Sequence, residues 1–275
     1  MIIDLRTNAV GGIFVCNDGV VIEKQRFPSP NPNIDLFLIT YFSQGLKIKG
    51  FLAEPKKDKL YDGFLYLRGG IKNVGKVRIG RIVQFASEGF VVMAPFYRGN
   101  QGGDGNEDFA GDDRFDSFAS FKVLEASSKV NPKRIHVFGF SRGGVMALLT
   151  AIHEPTIRSV VSWGGVSDMS LTYMERDDLR RMMKRVIGGT PKKFPERYKW
   201  RTPLYELEKI AAPVLLIHGK KDKNVSIEHS YRVERRLKEL GKKVTSWYFE
   251  EFTHYFPPQE NRRTVKRLTD WMKQQ

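Results

Sequence analysis

Short apolar runs with almost no alternation recur along this chain: FLYLR, FVVMAPF, RIHVFGF, RSVVSWG and APVLLIHG. Such runs are expected of parallel strands buried on both faces. Between them lie segments with helical spacing, VRIGRIVQFASEG, DRFDSFASFKVLEASS, VMALLTAIHE and SIEHSYRVERRLKELG, the last opening on Ser226 as a cap and closing at Gly241. Strands alternating with helices predict a mostly parallel, doubly wound α/β sheet. Ahead of it, LFLITYF and LKIKGFLAEP are rich in β-branched and aromatic residues and are separated by Ser43, Gln44 and Gly45, which predicts an antiparallel hairpin. The late run KVTSWYFE reads as a strand near the sheet edge, where a homodimer could form.

Two stretches break the pattern. PSPNPN, residues 28–33, holds three prolines and reads as a linker, so residues 1–35 are expected to be a short N-terminal segment and residues 36–275 the folded domain. Residues 168–212 interrupt the strand–helix alternation with a helix, LRRMMKRVIGG, and the loop TPKKFPERYKWRTP. In a doubly wound fold the ligand site lies beyond the C-terminal strand ends, so this small cap-like insertion is placed to roof it. Tyr173, Met174, Met183, Phe194, Tyr198 and Trp200 either line an apolar pocket there, together with Phe140, or form the insertion's own core.

Composition narrows the class. The chain has 275 residues with 41% hydrophobic and 28% charged residues, enough apolar material for a large core. Cys16 is the single cysteine, which excludes an intrachain disulfide framework and a multi-cysteine metal site. The start, MIIDLRTNAVGGIFV, lacks a signal-peptide pattern, and no stretch approaches the ~18 apolar residues that span a bilayer. A cytoplasmic protein without membrane contact is expected. The net charge of +15 is concentrated between Arg176 and Lys243, where twenty Lys/Arg face nine Asp/Glu. Those cations stand singly or in pairs among acids, without an aromatic stacking platform, so a solvated basic face is expected and not a nucleic-acid site.

The chemistry centres on Gly139-Phe140-Ser141-Arg142-Gly143, which follows the strand RIHVFGF and precedes a helix. G-x-S-x-G in that context describes a nucleophile elbow, where small glycines permit a tight turn and the serine hydroxyl projects above the sheet. A serine hydroxyl is a poor nucleophile at neutral pH and needs a base held by a carboxylate. In α/β hydrolases the chain order is Ser, acid, His; Asp222 follows APVLLIHG and His254 follows KVTSWYFE. Asp168, one strand earlier, is the rival acid. His229 also follows Asp222, but its place in SIEHSYRVERRLKELG reads as a solvated helix histidine. The oxyanion donors are expected to be the backbone N–H of Arg142 and that of Gly69 or Gly70, which end the strand FLYLR.

From about residue 36 onward the chain resembles the catalytic domain of the prolyl oligopeptidase family. ITYFSQGLKIKGFLAEP, APFYRGNQGG, NPKRIHVFGFSRGG, APVLLIHGKKDKNV and EFTHYF match its blocks in order, and the spacing of 81 residues from Ser141 to Asp222 and 32 to His254 agrees with its arrangement. The resemblance implies an α/β-hydrolase fold, the triad Ser141, Asp222, His254, and no metal or organic cofactor. Two departures stand out. Only about 35 residues precede the matching region, so the family's N-terminal β-propeller has no counterpart in this sequence. Arg68 stands where relatives commonly have His or Tyr before the paired glycines; with Arg98 and Arg142 it either binds an acidic substrate group or pairs with Asp104, Glu107, Asp112 or Asp113.

The expected function is a serine hydrolase that forms an acyl-enzyme at Ser141, with peptide amides as substrates by resemblance. Small apolar carboxylic esters are the alternative substrate class. A basic binding module on a hydrolase scaffold is the non-enzymatic alternative, disfavoured because a scaffold has no physical need for all three catalytic groups.

Overall fold

The computed structural model describes residues 17–275, and among these nine strands form one sheet. In chain order they are β1 (Val21–Phe27), β2 (Ile34–Ser43), β3 (Leu46–Pro55), β4 (Tyr61–Leu67), β5 (Phe90–Pro95), β6 (Val130–Phe140), β7 (Ser159–Trp163), β8 (Val214–Gly219) and β9 (Val244–Phe249). Their spatial order is β1-β2-β3-β5-β4-β6-β7-β8-β9. The first four in that order pair antiparallel, and those from β5 to β9 run parallel. Among the described residues the α-helices are α1 (Ile79–Ser87), α2 (Arg114–Glu125), α3 (Arg142–His153), α4 (Met169–Glu175), α5 (Asp177–Ile187), α6 (Pro195–Trp200), α7 (Glu228–Glu239) and α8 (Pro258–Lys273). This is the α/β-hydrolase architecture expected from the alternation of apolar runs and amphipathic segments.

The non-alternating strands have no exposed face because each covers a core on both sides. On β4, Leu65 and Leu67 join a cluster with α2, α3 and α7, whereas Phe64 and Tyr66 point to the other face and pack with Phe85 of α1 and Leu268 and Met272 of α8. The hairpin forms at the expected place: Gln44 and Gly45 both adopt positive φ, 51° and 78°. A two-residue turn of that hand matches the twist of the flanking strands.

Three details differ from the sequence reading. PSPNPN is no domain boundary, because β1 lies before it and pairs with β2 in the same sheet. VIEKQRF carries few apolar residues because β1 is an edge strand with little to bury. Ser226 does not cap α7; its hydroxyl donates instead to Glu175 Oε1 at 2.7 Å. The helix α8, unremarked in the sequence, buries Val265, Leu268 and Met272 against the sheet. Strand β9 is the second edge, as expected. Cys16 lies outside the described residues. No helix among the described residues is long and apolar enough to cross a membrane.

Candidate active site

Ser141 sits between β6 and α3 with φ 57° and ψ −125°, a conformation that L residues rarely adopt. The surroundings enforce it. Ser141 N–H donates to Trp163 O at 3.1 Å, and Ser141 O accepts from Gly144 N–H and Val166 N–H at 2.9 and 3.0 Å. The flanking glycines are obligatory for contact: a Cβ at Gly139 would collide with the carbonyl of Gly143, and one at Gly143 with the carbonyl of Leu67. The turn is therefore pressed against the end of β4. The first amides of α3 lack intrahelical acceptors and present partial positive charge beside the serine.

Asp222 and His254 come together from the loops after β8 and β9. His254 Nδ1 lies 2.6 Å from Asp222 Oδ2, with both side chains buried. With the carboxylate ionised, Nδ1 carries the proton and Nε2 is left to accept one. Asp222 Oδ1 accepts from the N–H groups of Asn224 and Val225 at 2.8 and 3.0 Å. Burial alone would raise the Asp222 carboxyl, but hydrogen bonds from His218 and His254 and from Val225 N–H hold it well below the usual carboxylate range. The two loops are tied by Lys220 N–H to Phe249 O and Lys221 N–H to Phe252 O, at 2.8 and 3.0 Å. The end of β7 places this pair near the elbow: a Cβ at Gly164, next to Trp163, would lie 3.3 Å from both Asp222 Oδ2 and His254 Nδ1. The ring of Phe140, adjacent to Ser141, lies 4.8 Å from the His254 ring.

Asp168 does other work. Its Oδ1 accepts from the N–H groups of Ser170 and Leu171 at the start of α4, and its Oδ2 pairs with Arg232 at 2.9 Å. His229 is buried, not solvated: Nδ1 accepts from Ser167 N–H at 3.1 Å, and burial first, then His218 and Arg232, push its pKa down to about 3. The sequence signal for this burial was present, since His229, Val233 and Leu237 recur at helical spacing on the inner face of α7. His218, near the end of β8, stands 3.4 Å from Asp222 Oδ2 and bonds Ser230 and Val225 O.

On the other side of the elbow, Gly69 lies so close that a Cβ there would fall 2.7 Å from Ser141 Cβ. Gly70 has φ +67°, and a Cβ on it would strike the carbonyl of Val74. The three arginines are buried and paired. Arg68 and Arg142 share Glu107, each at 2.8 Å, Arg142 also stands 3.4 Å from Asp113, and Arg98 pairs with Asp116 at 2.9 Å. Each guanidinium is at most 7% exposed and faces a protein carboxylate, and Asp116 is a partner the sequence reading did not name.

The insertion touches the loop after β8 through Arg176 Nη1, which donates to Asn224 O at 2.6 Å. Of its predicted pocket residues, Met183 has no exposed surface and packs in the core with Ile187 and Tyr198, so it offers nothing to an open pocket. Tyr173 packs edge-on to Tyr198 at 5.9 Å. Met174 and Trp200 are exposed, and the Trp200 ring lies under Arg114 at 3.8 Å.

The sequence profile of the prolyl oligopeptidase family matches residues 77–275. The chain belongs to this family. Membership places it among the serine hydrolases. The chain is 66% identical over 92% of its length to a curated Bacillus subtilis (strain 168) protein named "Uncharacterized peptidase YtmA", covering 99% of that relative. A second B. subtilis protein of the same kind, "Uncharacterized peptidase YuxL", is 23% identical and is covered over 37% of its length. Among solved structures, the Pyrococcus horikoshii acylaminoacyl peptidase superposes with a TM-score of 0.75 at 21% identity, over 92% of this chain and 42% of that one. Acetyl xylan esterase 1 from Thermoanaerobacterium sp. JW/SL YS485 superposes with a TM-score of 0.69 at 15% identity, over 90% of this chain and 87% of that one. These likenesses show a shared fold; the chain spans less than half of the peptidase structure.

Proposed function

We propose that this family member hydrolyses acyl compounds through an acyl-enzyme on Ser141. His254 Nε2 takes the hydroxyl proton as Ser141 Oγ attacks the carbonyl carbon, and Asp222 holds the imidazole through Nδ1–H and stabilises the imidazolium. The oxyanion is held by the N–H of Arg142 and by an N–H from Gly69 or Gly70. His254 then gives its proton to the leaving amine or alcohol, and a water deprotonated by the same base releases the acid. The observation that supports this reading most is the buried 2.6 Å His254–Asp222 pair packed beside a strained serine elbow.

The leading substrate class is peptide amides, supported by the peptidase names of the relatives. Small apolar esters are a second class. The exposed Tyr255 ring, 5.8 Å from Phe140 and 5.0 Å from His254, supports it by offering an apolar surface beside the base. Esters also ask less of the general acid, because an alkoxide leaves more easily than an amine.

A fluorophosphonate probe on the purified chain is expected to add one phosphonyl group, located at Ser141 by peptide mass, and Ser141→Ala is expected to abolish both labelling and turnover. Retention of full turnover by a clean Ser141→Ala sample would remove Ser141 from the mechanism. A panel of acyl esters beside aminoacyl amides with free and blocked amino termini then separates the two substrate classes.

A further inference from the structure

The two oxyanion segments, residues 68–72 and the start of α3, come from separate strand ends, and one carboxylate joins them. Glu107 Oε1 accepts from Arg68 Nη2 and from Arg142 Nη2, both at 2.8 Å, while Oε2 accepts from Lys72 N–H at 2.5 Å. Its side chain has no exposed surface. Arg68 in turn donates to Gly69 O at 3.0 Å and to Phe96 O at 2.8 Å. Because a trans peptide points its C=O and N–H in opposite directions, anchoring Gly69 O to Arg68 decides which way the N–H of Gly70 faces. Both guanidinium groups also lie over the Tyr97 ring, at 5.0 and 4.7 Å, and Tyr97 is held at φ 64°.

We propose that Glu107 is a positioning residue for the oxyanion hole, clamping the Arg68–Lys72 loop to the first turn of α3 so that donors from both segments converge beside Ser141. The proposal rests on the reading of Ser141 as nucleophile. It goes beyond that reading by assigning work to a residue that touches neither Ser141 nor substrate. A charged clamp suits the task because a carboxylate accepts several directional hydrogen bonds at once, whereas apolar packing would let the loop slide. Small displacements matter here, since misplacing catalytic groups by about 1 Å costs on the order of 10²-fold in rate.

The alternative is that this cluster supports stability alone. A comparison pair is at hand: Arg98–Asp116 is also buried, and the side-chain partners of the pair are Ser43 and Gln44, not residues of the 68–72 loop or of α3. We would measure the saturating rate constant and the half-saturation concentration for fluorophosphonate labelling of the full chain, with Tm, for wild type, Glu107→Gln, Arg68→Gln and Asp116→Asn. Glu107→Gln is expected to label about 10²-fold more slowly at saturation with little change in half-saturation, and Arg68→Gln, which leaves Glu107 two of its three partners, about tenfold more slowly. Asp116→Asn is expected to lower Tm while labelling at the wild-type rate. A folded Glu107→Gln or Arg68→Gln protein labelling at the wild-type rate overturns the clamp, as does an equal slowing in Asp116→Asn. Wild-type protein that fails to label at Ser141 overturns the nucleophile assignment itself, and the clamp with it.

Discussion

Asp222 divides its two oxygens between two tasks: Oδ2 meets His254 Nδ1 at 2.6 Å, and Oδ1 is held by the N–H groups of Asn224 and Val225. The His254 imidazole is thereby fixed to a carboxylate that is itself fixed to its loop. Asp222→Asn keeps the shape but presents an amide to Nδ1 and favours the wrong tautomer, so kcat is expected to fall by about 10⁴-fold, as in serine proteases. Asp168→Asn removes one of the two carboxylates paired with Arg232, Glu228 being the other, and keeps a side-chain oxygen able to cap α4. It is expected to cost under about 1 kcal/mol of stability with little loss of kcat. Steady-state kinetics and urea unfolding on both variants check the pair of outcomes, and a reversal of the two rate effects would move the acid to Asp168.

Gly69 is constrained by Ser141 and by Phe140 O, which would lie 2.7 and 2.9 Å from an added Cβ. Neither neighbour can yield, because Ser141 is held on three backbone hydrogen bonds. Gly69→Ala must therefore shift the 68–72 loop away from the elbow. The expected result is a loss of about 10²-fold in kcat/KM with a small change in Tm. Crystallography or simple kinetics at matched Tm checks it; wild-type kcat/KM would show that the loop gives way without disturbing the oxyanion donors.

Some of this site was readable from the chain because the required residue types are unusual. Glycines at 139 and 143 around Ser141 leave a mark that carbonyl contacts explain, and Gln44–Gly45 marks its hairpin by needing positive φ at both positions. What escaped depended on distant partners. Nothing in VIEKQRF separates an exposed edge strand from a loop until β2 lies alongside it. His229 looked solvated because its neighbours in sequence are charged, yet its helix turns it inward. The sharing of Glu107 by Arg68 and Arg142 across 39 and 35 residues follows only from the lateral order β5-β4-β6, since the three residues lie after those three strands.

Buried His229 makes a prediction about pH. Burial first, then His218 and Arg232, lower its pKa to about 3, while the Asp222 carboxylate offsets part of that shift. Ser167 and Asp168 present their N–H groups to Nδ1, so the neutral ring is the form the fold accepts. In the unfolded chain a histidine titrates near 6.5, so between about pH 6.5 and 3 the unfolded state binds the extra proton. Stability is thus fully present above about 6.5 and is lost as pH falls, by up to about 1.4 kcal/mol per unit. Urea midpoints for wild type and His229→Gln between pH 7.5 and 5 check this. The variant is expected to start less stable and to show a flatter pH dependence; parallel slopes would show that the ring takes up its proton without unfolding.

The last prediction concerns Tyr255, which follows His254 in sequence and remains 70% exposed. Its ring meets His254 edge-on at 5.0 Å and lies 5.8 Å from Phe140, so the two aromatics flank the His254 imidazole. An exposed aromatic ring in this position is available to cover an apolar group of the substrate. Covering apolar surface contributes about 0.8 kcal/mol per methylene, so the benefit must grow with the length of the group covered. Tyr255→Ala is therefore expected to lower kcat/KM by about tenfold for hexanoyl esters, since one decade corresponds to about 1.4 kcal/mol. For acetyl esters, which have no chain to cover, the change should stay within about twofold. The loss should appear in KM, because the ring binds ground state and transition state alike and removing uniform binding leaves kcat unchanged. A chain-length series of 4-nitrophenyl esters on both proteins tests this directly. A loss equal at every length and located in kcat would mean that Tyr255 acts by holding the His254 ring, not by receiving substrate.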